Sequence, residues 1–206
     1  MGKLTNWNLT STALLTIDLQ NDFIHPKGAY GRAGQTADSI SALPARVAPL
    51  VKALRAKGGY YISAQFSLVP GPDGEPLIAP HLKELRPFLT KGDFEPSSFG
   101  HRVVDGLHPA DFVIEKVAYS SFYQTRLEYI MRAMGIENLI VAGIVTNGGV
   151  ASTLRDAHLR NIETLMLTDG CGAFRQEVHD ATILSLGTVT QQMTCAEALG
   201  WLEDAT

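Results

Sequence analysis

The stretch LIVAGIVTNGGVASTLRDA, residues 139–157, decides how this chain is read. Its first half is a continuous apolar run, which suits a strand buried on both faces of a parallel sheet. Thr146 to Gly149 then form a turn, and the remainder has helical spacing. A buried strand running through a turn into a helix is where an α/β hydrolytic fold places a nucleophile. Here the turn reads TNGG, and Gly148 and Gly149 have no side chain with which to attack.

Working outward, similar apolar runs stand at intervals. They are TALLTID (12–18), YYISAQ (60–65), DFVIEK (111–116), NLIVAGIV (138–145) and ETLMLTD (163–169), with GTVTQQM (187–193) as a sixth at the edge. Helical patterns lie between them. LPARVAPLVKALRAKG (43–58) sets Val47, Leu50, Val51 and Leu54 along one face and stops at Gly58, a C-cap residue type. TRLEYIMRAMG (125–135) does the same and stops at Gly135, while VASTLRDAHLRN (150–161) and VHDATILSLG (178–187) supply two more helices. This alternation predicts one α/β domain over 1–206, three layers deep, with a mostly parallel, doubly wound sheet. The segment at about 66–108 breaks the pattern with six prolines and five glycines. A connection of that length predicts a lid or a contact with a neighbouring subunit.

Composition narrows the function classes. The chain has 206 residues, enough to bury roughly 70% of its unfolded surface. A net charge of −4 without a Lys/Arg run argues against nucleic acid and anionic membranes as partners. Only 18% of residues are charged, which points weakly to surface covered by further copies of the chain. No apolar run reaches membrane-spanning length, and the first residues carry neither a leader pattern nor a myristoylation signal, since Asn6 stands where Ser or Thr is required. The two cysteines, Cys171 and Cys195, have neither metal nor redox spacing, so a reducing cytoplasm is expected. The six histidines are scattered without ligand spacing, and neither a metal nor another cofactor is expected.

On such a sheet ligands bind outside the carboxyl ends of the strands. The strand assignments bring Asp18, Gln65, Lys116 and the turn from Val145 through Thr146, Asn147 and Gly148 to Gly149 to that edge. Burial at the lip of an apolar wall would raise the Asp18 pKa, whereas a nearby ammonium would lower it. Taken singly, Asp18 is more commonly a carboxylate capping a turn or helix, and Lys116 is ordinarily a solvated strand end. Together they make a proton donor and its electrostatic partner.

The blocks LLTIDLQNDF, EKVAYSSFYQTRLEYIMRAMGIENLIVAGIVTNGGVASTLRDAHLRN and LTDGCGAF resemble the isochorismatase-like hydrolases, also called the cysteine hydrolase family. The resemblance covers most of the chain in order. It implies a three-layer α/β fold, dimers or tetramers, and an Asp–Lys–Cys triad whose first two members match Asp18 and Lys116. It also implies a non-proline cis peptide, expected at Val145–Thr146, beside backbone N–H groups forming an oxyanion hole. At the cysteine position of the pattern G-x-x-T-x-x-C-V stands Gly149. Cys171, expected just past the end of its strand, reads as a packing residue rather than a substitute nucleophile, and Cys195 more so.

Isochorismatases proper resemble this chain in having glycine there; they protonate a vinyl ether and let water attack the cation. On that reading Asp18 is the acid, Lys116 its partner, Gln65 matches a T-A-Q pattern, and Tyr119 and Phe122 form aromatic wall. Asn147, where those enzymes show a histidine, argues against isochorismate itself. The Asp-x-His metal pair of nicotinamidase-like members is missing from AQFSLVPG. Two alternatives stand beside a small, anionic vinyl-ether substrate: a noncatalytic binding protein, and an amidohydrolase in which Asp18 activates water.

Overall fold

The computed structural model describes residues 7–205. The reading of the amino terminus, which turns on Asn6, lies outside the described residues. In chain order the main elements are β1 (Thr12–Ile17), the short helices α1 (Asn21–Ile24), α2 (Ala29–Arg32) and α3 (Asp38–Ser41), then α4 (Leu43–Ala56) and β2 (Tyr60–Phe66). A long connection carrying α5 (Pro80–Leu85) leads to β3 (Phe112–Lys116), α6 (Leu127–Met134) and β4 (Asn138–Ile144). A wide helical turn, Thr146–Val150, runs into α7 (Ala151–Leu159); β5 (Glu163–Gly172), α8 (Gln176–Leu186), β6 (Gln191–Met193) and α9 (Cys195–Asp204) complete the chain.

The six strands form one parallel sheet in the order β3-β2-β1-β4-β5-β6. The chain starts in the middle, winds outward one way and then the other, so strand order reverses between β1 and β4. That reversal opens a crevice at the carboxyl ends of these two strands, the place where such sheets bind ligands. Sheet class and winding are as expected from the apolar runs.

Each face of the sheet buries its own core. On one, Val47, Leu50, Val51 and Leu54 of α4 pack with Ala198 and Leu202 of α9 against Leu14, Tyr61, Ile140 and Leu165. On the other, α6, α7 and α8 cover Leu15, Ile17, Ile62, Val141 and Met166. All six residues of β1 and all seven of β4 are buried, which is why both read as unbroken apolar runs. A side chain such as Leu54, with no exposed surface, contributes about 1.5–3 kcal/mol by burial. α6 ends at Gly135, at φ 66°, where a left-handed residue releases the chain.

Four details depart from the expectations. The edge strand is only Gln191–Met193. β5 runs on to Gly172, so Cys171 lies inside the strand, opposite Gly143. α9 follows a Thr194–Glu197 capping box. The non-proline cis bond is Ile144–Val145, one residue before the expected Val145–Thr146. Gly143 is required here because, at φ 126°, a Cβ would meet the Ile17 carbonyl oxygen at 2.1 Å.

The long connection has a third cluster of its own, Leu68, Leu89 and Phe94 packed with Ala29 and Tyr30. It is tied to the end of β1 by the three polar residues after Leu19. Gln20 Nε2 donates to the Phe66 and His101 carbonyls, and its Oε1 accepts from the Phe66 N–H. Asn21 donates to the Phe99 carbonyl, and Asp22 accepts from the Ala29 and Phe94 N–H groups at 2.8 and 2.6 Å. All three side chains belong to buried residues, so each bond also satisfies backbone that would otherwise be left dry.

Candidate active site

Asp18 is the first residue beyond β1 and takes a left-handed conformation, φ 58°, with its N–H on the Ala64 carbonyl. This turn swings its carboxylate over the strand ends. Lys116, the last residue of β3, reaches across β2 and donates from Nζ to Asp18 Oδ2 at 2.8 Å and to the Ala118 carbonyl at 3.2 Å. The ammonium lies 5.6 Å from the centre of the Phe66 ring. Both side chains are almost wholly withdrawn from solvent, 1% exposed for Lys116 and 8% for Asp18. Among the described residues, Asp18 Oδ1 is buried with no hydrogen-bond partner. Burial pushes the Asp18 pKa above the ordinary carboxylate range, and the Lys116 charge only partly offsets that desolvation.

Gly149 faces the pair from the turn after β4. A Cβ built on it would stand 3.3 Å from Asp18 Oδ2, but also 2.9 Å from the Ile144 carbonyl oxygen and 3.0 Å from Ile17 Cγ2. The glycine therefore lets the turn pack close against the carboxylate, where a side chain would crowd the Ile144 carbonyl and Ile17. Thr153 braces the turn by donating to the Gly149 carbonyl at 2.7 Å and accepting from the Ser121 N–H.

These groups open into a cavity of about 560 Å³. Asp18, Lys116, Tyr119, Val145, Asn147, Gly148 and Gly149 line it, as the sequence reading expected. Gln65, Phe122 and Thr146 do not. Side chains alternate across a strand, so Phe66 faces the cavity and Gln65 turns the other way. Phe122 is buried in the core beneath α6 and α7, with Arg160 over its ring. Thr146 shares a 2.8 Å hydrogen bond with buried His179 on α8.

Residues 12–198 match the Isochorismatase domain. The chain belongs to the isochorismatase family. It is 32% identical over 206 aligned positions to the ureidoacrylate amidohydrolase RutB of Methylobacterium radiotolerans, covering 94% of this chain and 76% of that protein. In fold it is similar to a cysteine hydrolase from Pseudomonas syringae pv. phaseolicola, with a TM-score of 0.82, 24% identity and coverage of 97% and 96%. It is also similar to N-carbamoylsarcosine amidase from Thermoplasma acidophilum, with a TM-score of 0.68, 24% identity and coverage of 89% and 96%. All three carry the names of hydrolases.

Several residues of the cavity wall escaped the sequence reading. Phe23, Tyr30, Phe66, Phe94 and Phe174 give the cavity an aromatic lining, with Tyr30 and Phe174 stacked 5.4 Å apart at 8°. Phe23 and Phe174 end two of the family-like blocks, NDF and CGAF, which was the one available signal. Ile78, His81, Leu82, Arg86 and Leu89 come from the irregular segment before β3, where no periodicity marks them. Arg86 Nε donates to Tyr30 Oη at 2.9 Å. Burial works against its charge, but Tyr30 and Tyr119 outweigh that and hold it above the ordinary guanidinium value.

Neither cysteine lines this cavity. Burial pushes the Cys171 thiol far up, its Sγ facing the Val141 carbonyl, and Cys195 is pushed up to about 12. Such thiols are inert as nucleophiles at neutral pH. Among the described residues, no three His, Cys, Asp or Glu side chains converge to hold a metal ion. Nor is any described helix long and apolar enough to cross a membrane. A larger, shallower groove of about 720 Å³ lies along the β5–β6 edge. It opens where β5 begins, away from the carboxyl ends, and Glu163 in its wall already accepts from the Trp7 indole at 2.7 Å.

Proposed function

We propose that this chain is an isochorismatase-family hydrolase that acts on a small anionic molecule by proton transfer from Asp18, without a covalent enzyme intermediate. The observation that carries this reading is a buried carboxyl whose one oxygen is held by Lys116 while the other has no partner among the described residues. A buried acceptor left unpaired costs about 1–3 kcal/mol, a penalty relieved when the group carries a proton or meets a substrate. We read Gly149 as standing where the family pattern has its cysteine, so no thiol is present there to attack a substrate.

On a vinyl ether the protonated Asp18 adds its proton to the enol-ether carbon and leaves an oxocarbenium ion. Water adds to the cation, and the hemiketal collapses to a ketone and an alcohol, with one proton returned to Asp18. Lys116 fixes the carboxyl and stabilises the carboxylate left after transfer. A raised Asp18 pKa favours this role, because a general acid works best when part of it is protonated at the working pH. In this reading the chain is one domain, the connection at about 66–108 closes over the cavity as a lid, and the protein works in the cytoplasm as a homodimer or homotetramer.

A second reading is amide hydrolysis by a water that Asp18 deprotonates; the amidohydrolase among the relatives favours it. Assaying wild type and Asp18→Asn against vinyl-ether, ureido and amide carboxylates separates the two. Turnover of vinyl ethers, lost in the variant, supports the first reading, and turnover of ureido or amide substrates alone supports the second. A ligand held without product by wild type would identify a binding protein, and turnover retained in Asp18→Asn would refute proton transfer from Asp18.

A further inference from the structure

We infer that Arg86 is the counter-ion for a carboxylate on the substrate, and that the substrate is a small planar monocarboxylate lying among the aromatic rings of the cavity. This deepens the proposed function and rests on the same site.

Four basic side chains line the cavity against one acid, Asp18. Lys116 is committed to Asp18 and the Ala118 carbonyl. Arg175, 71% exposed, is paired with Glu177. His81 lies on the exposed rim. Arg86 differs from all three: it is half-buried, it spends Nε on a neutral phenol, and among the described residues no carboxylate lies within ion-pair distance of it. Lys116 and Arg175 are thus held by acceptors of the protein itself, and among the described residues Arg86 is the wall's long cationic side chain with no carboxylate or backbone acceptor of its own. A guanidinium presents its terminal N–H groups as a planar fork that matches a carboxylate, and the pairing strengthens where water is excluded. The same phenol that holds Arg86 stacks on Phe174 and meets Phe88 and Phe94 edge-on. A flat, conjugated body next to the carboxylate therefore meets ring faces and edges, the contacts that aromatic groups prefer. One free cation specifies one anionic group.

Calorimetric titration with benzoate, benzamide and phthalate tests this on wild type, Arg86→Met, Arg86→Lys and Asp18→Asn. Benzoate is expected to bind wild type at least ~10-fold more tightly than either benzamide or phthalate, the scale of one charged hydrogen-bonded contact. Arg86→Met should remove that advantage while benzamide binding and the circular-dichroism melt stay the same; Arg86→Lys should recover part of it. Benzoate binding that is absent in wild type, equal to benzamide binding, weaker than phthalate binding, or unchanged in Arg86→Met overturns the inference. Asp18→Asn should still bind benzoate, so loss of the Arg86 dependence refutes the anchor alone. Turnover that survives Asp18→Asn refutes the proton donor alone.

Discussion

Two regions wall the same cavity and are held by different physics. The carboxyl edge of the sheet is carried on β1 and β4, buried on both faces, and on the edge strand β3, whose ladder to β2 and buried Lys116 fix the other side of the pair. The segment opposite has a single short helix, a small core of its own, and three polar tethers from Gln20, Asn21 and Asp22. Groups on rigid elements are positioned more finely than groups on loops. The proposed proton donor stands on the first kind of support and the proposed anion anchor, Arg86, on the second. Chemistry and recognition are thus separable in this protein, and substitutions on the two sides should fail in different ways.

The sharpest test of that separation is Asp18→Asn. Loss of a positioned acid should reduce turnover by about 10²–10⁴-fold while ligand affinity and melting behaviour persist, read by steady-state kinetics beside calorimetry. Loss of binding in parallel would merge the two regions.

Lys116→Met comes next, and its effect should depend on pH. Burial already holds Asp18 above its unfolded value of about 3.9. A carboxyl shifted that way lends its full share of stability below the unfolded pKa and loses it as pH rises through the folded one. Removing the ammonium lets desolvation act unopposed, so the deficit relative to wild type should widen from about pH 5 to about pH 8, toward ~3–5 kcal/mol. Urea denaturation at both values checks this; a deficit that is constant, or larger at the lower pH, contradicts the electrostatic account.

On the other side of the cavity, Asp22→Ala leaves the Ala29 and Phe94 N–H groups without their acceptor. A cost of about 1–3 kcal/mol is expected. Hydrogen exchange should quicken around residues 88–102 and stay slow in β1 and β4. Uniform loss of protection would mean that the segment and the sheet unfold as one unit.

The smallest effect belongs to Cys171→Ala. With its thiol buried within β5 and outside the cavity, turnover should not change. A collapse of turnover would make this sulfur the nucleophile and remove the need for Asp18 as the acid.

The inner strands were legible because a parallel strand covered on both faces must be largely apolar, as β1 and β4 are; β3, at the sheet edge, instead alternates buried Ile114 and Lys116 with exposed Val113 and Glu115. Asp18 and Lys116 were legible for a related reason: each is an ionisable residue at the end of such a run. α9 was missed although Thr194 and Glu197 wrote its capping box in advance. Gln65 and Phe122 were misplaced by parity and packing. One residue along β2 separates the cavity from the opposite face, and Phe122 sinks under α6 and α7 instead of facing the wall.

Local pattern was enough to define the alternating strands and helices, the acid and lysine at the strand ends, and the bare glycine in the turn, since each follows from neighbours a few residues away. Arg86, the aromatic lining and the partnerless oxygen of Asp18 arise where residues far apart in the chain fold against each other. Their roles depend on which charges lose water and which find a partner, and that is settled only when β1, β3, β4 and the long connection close around one space.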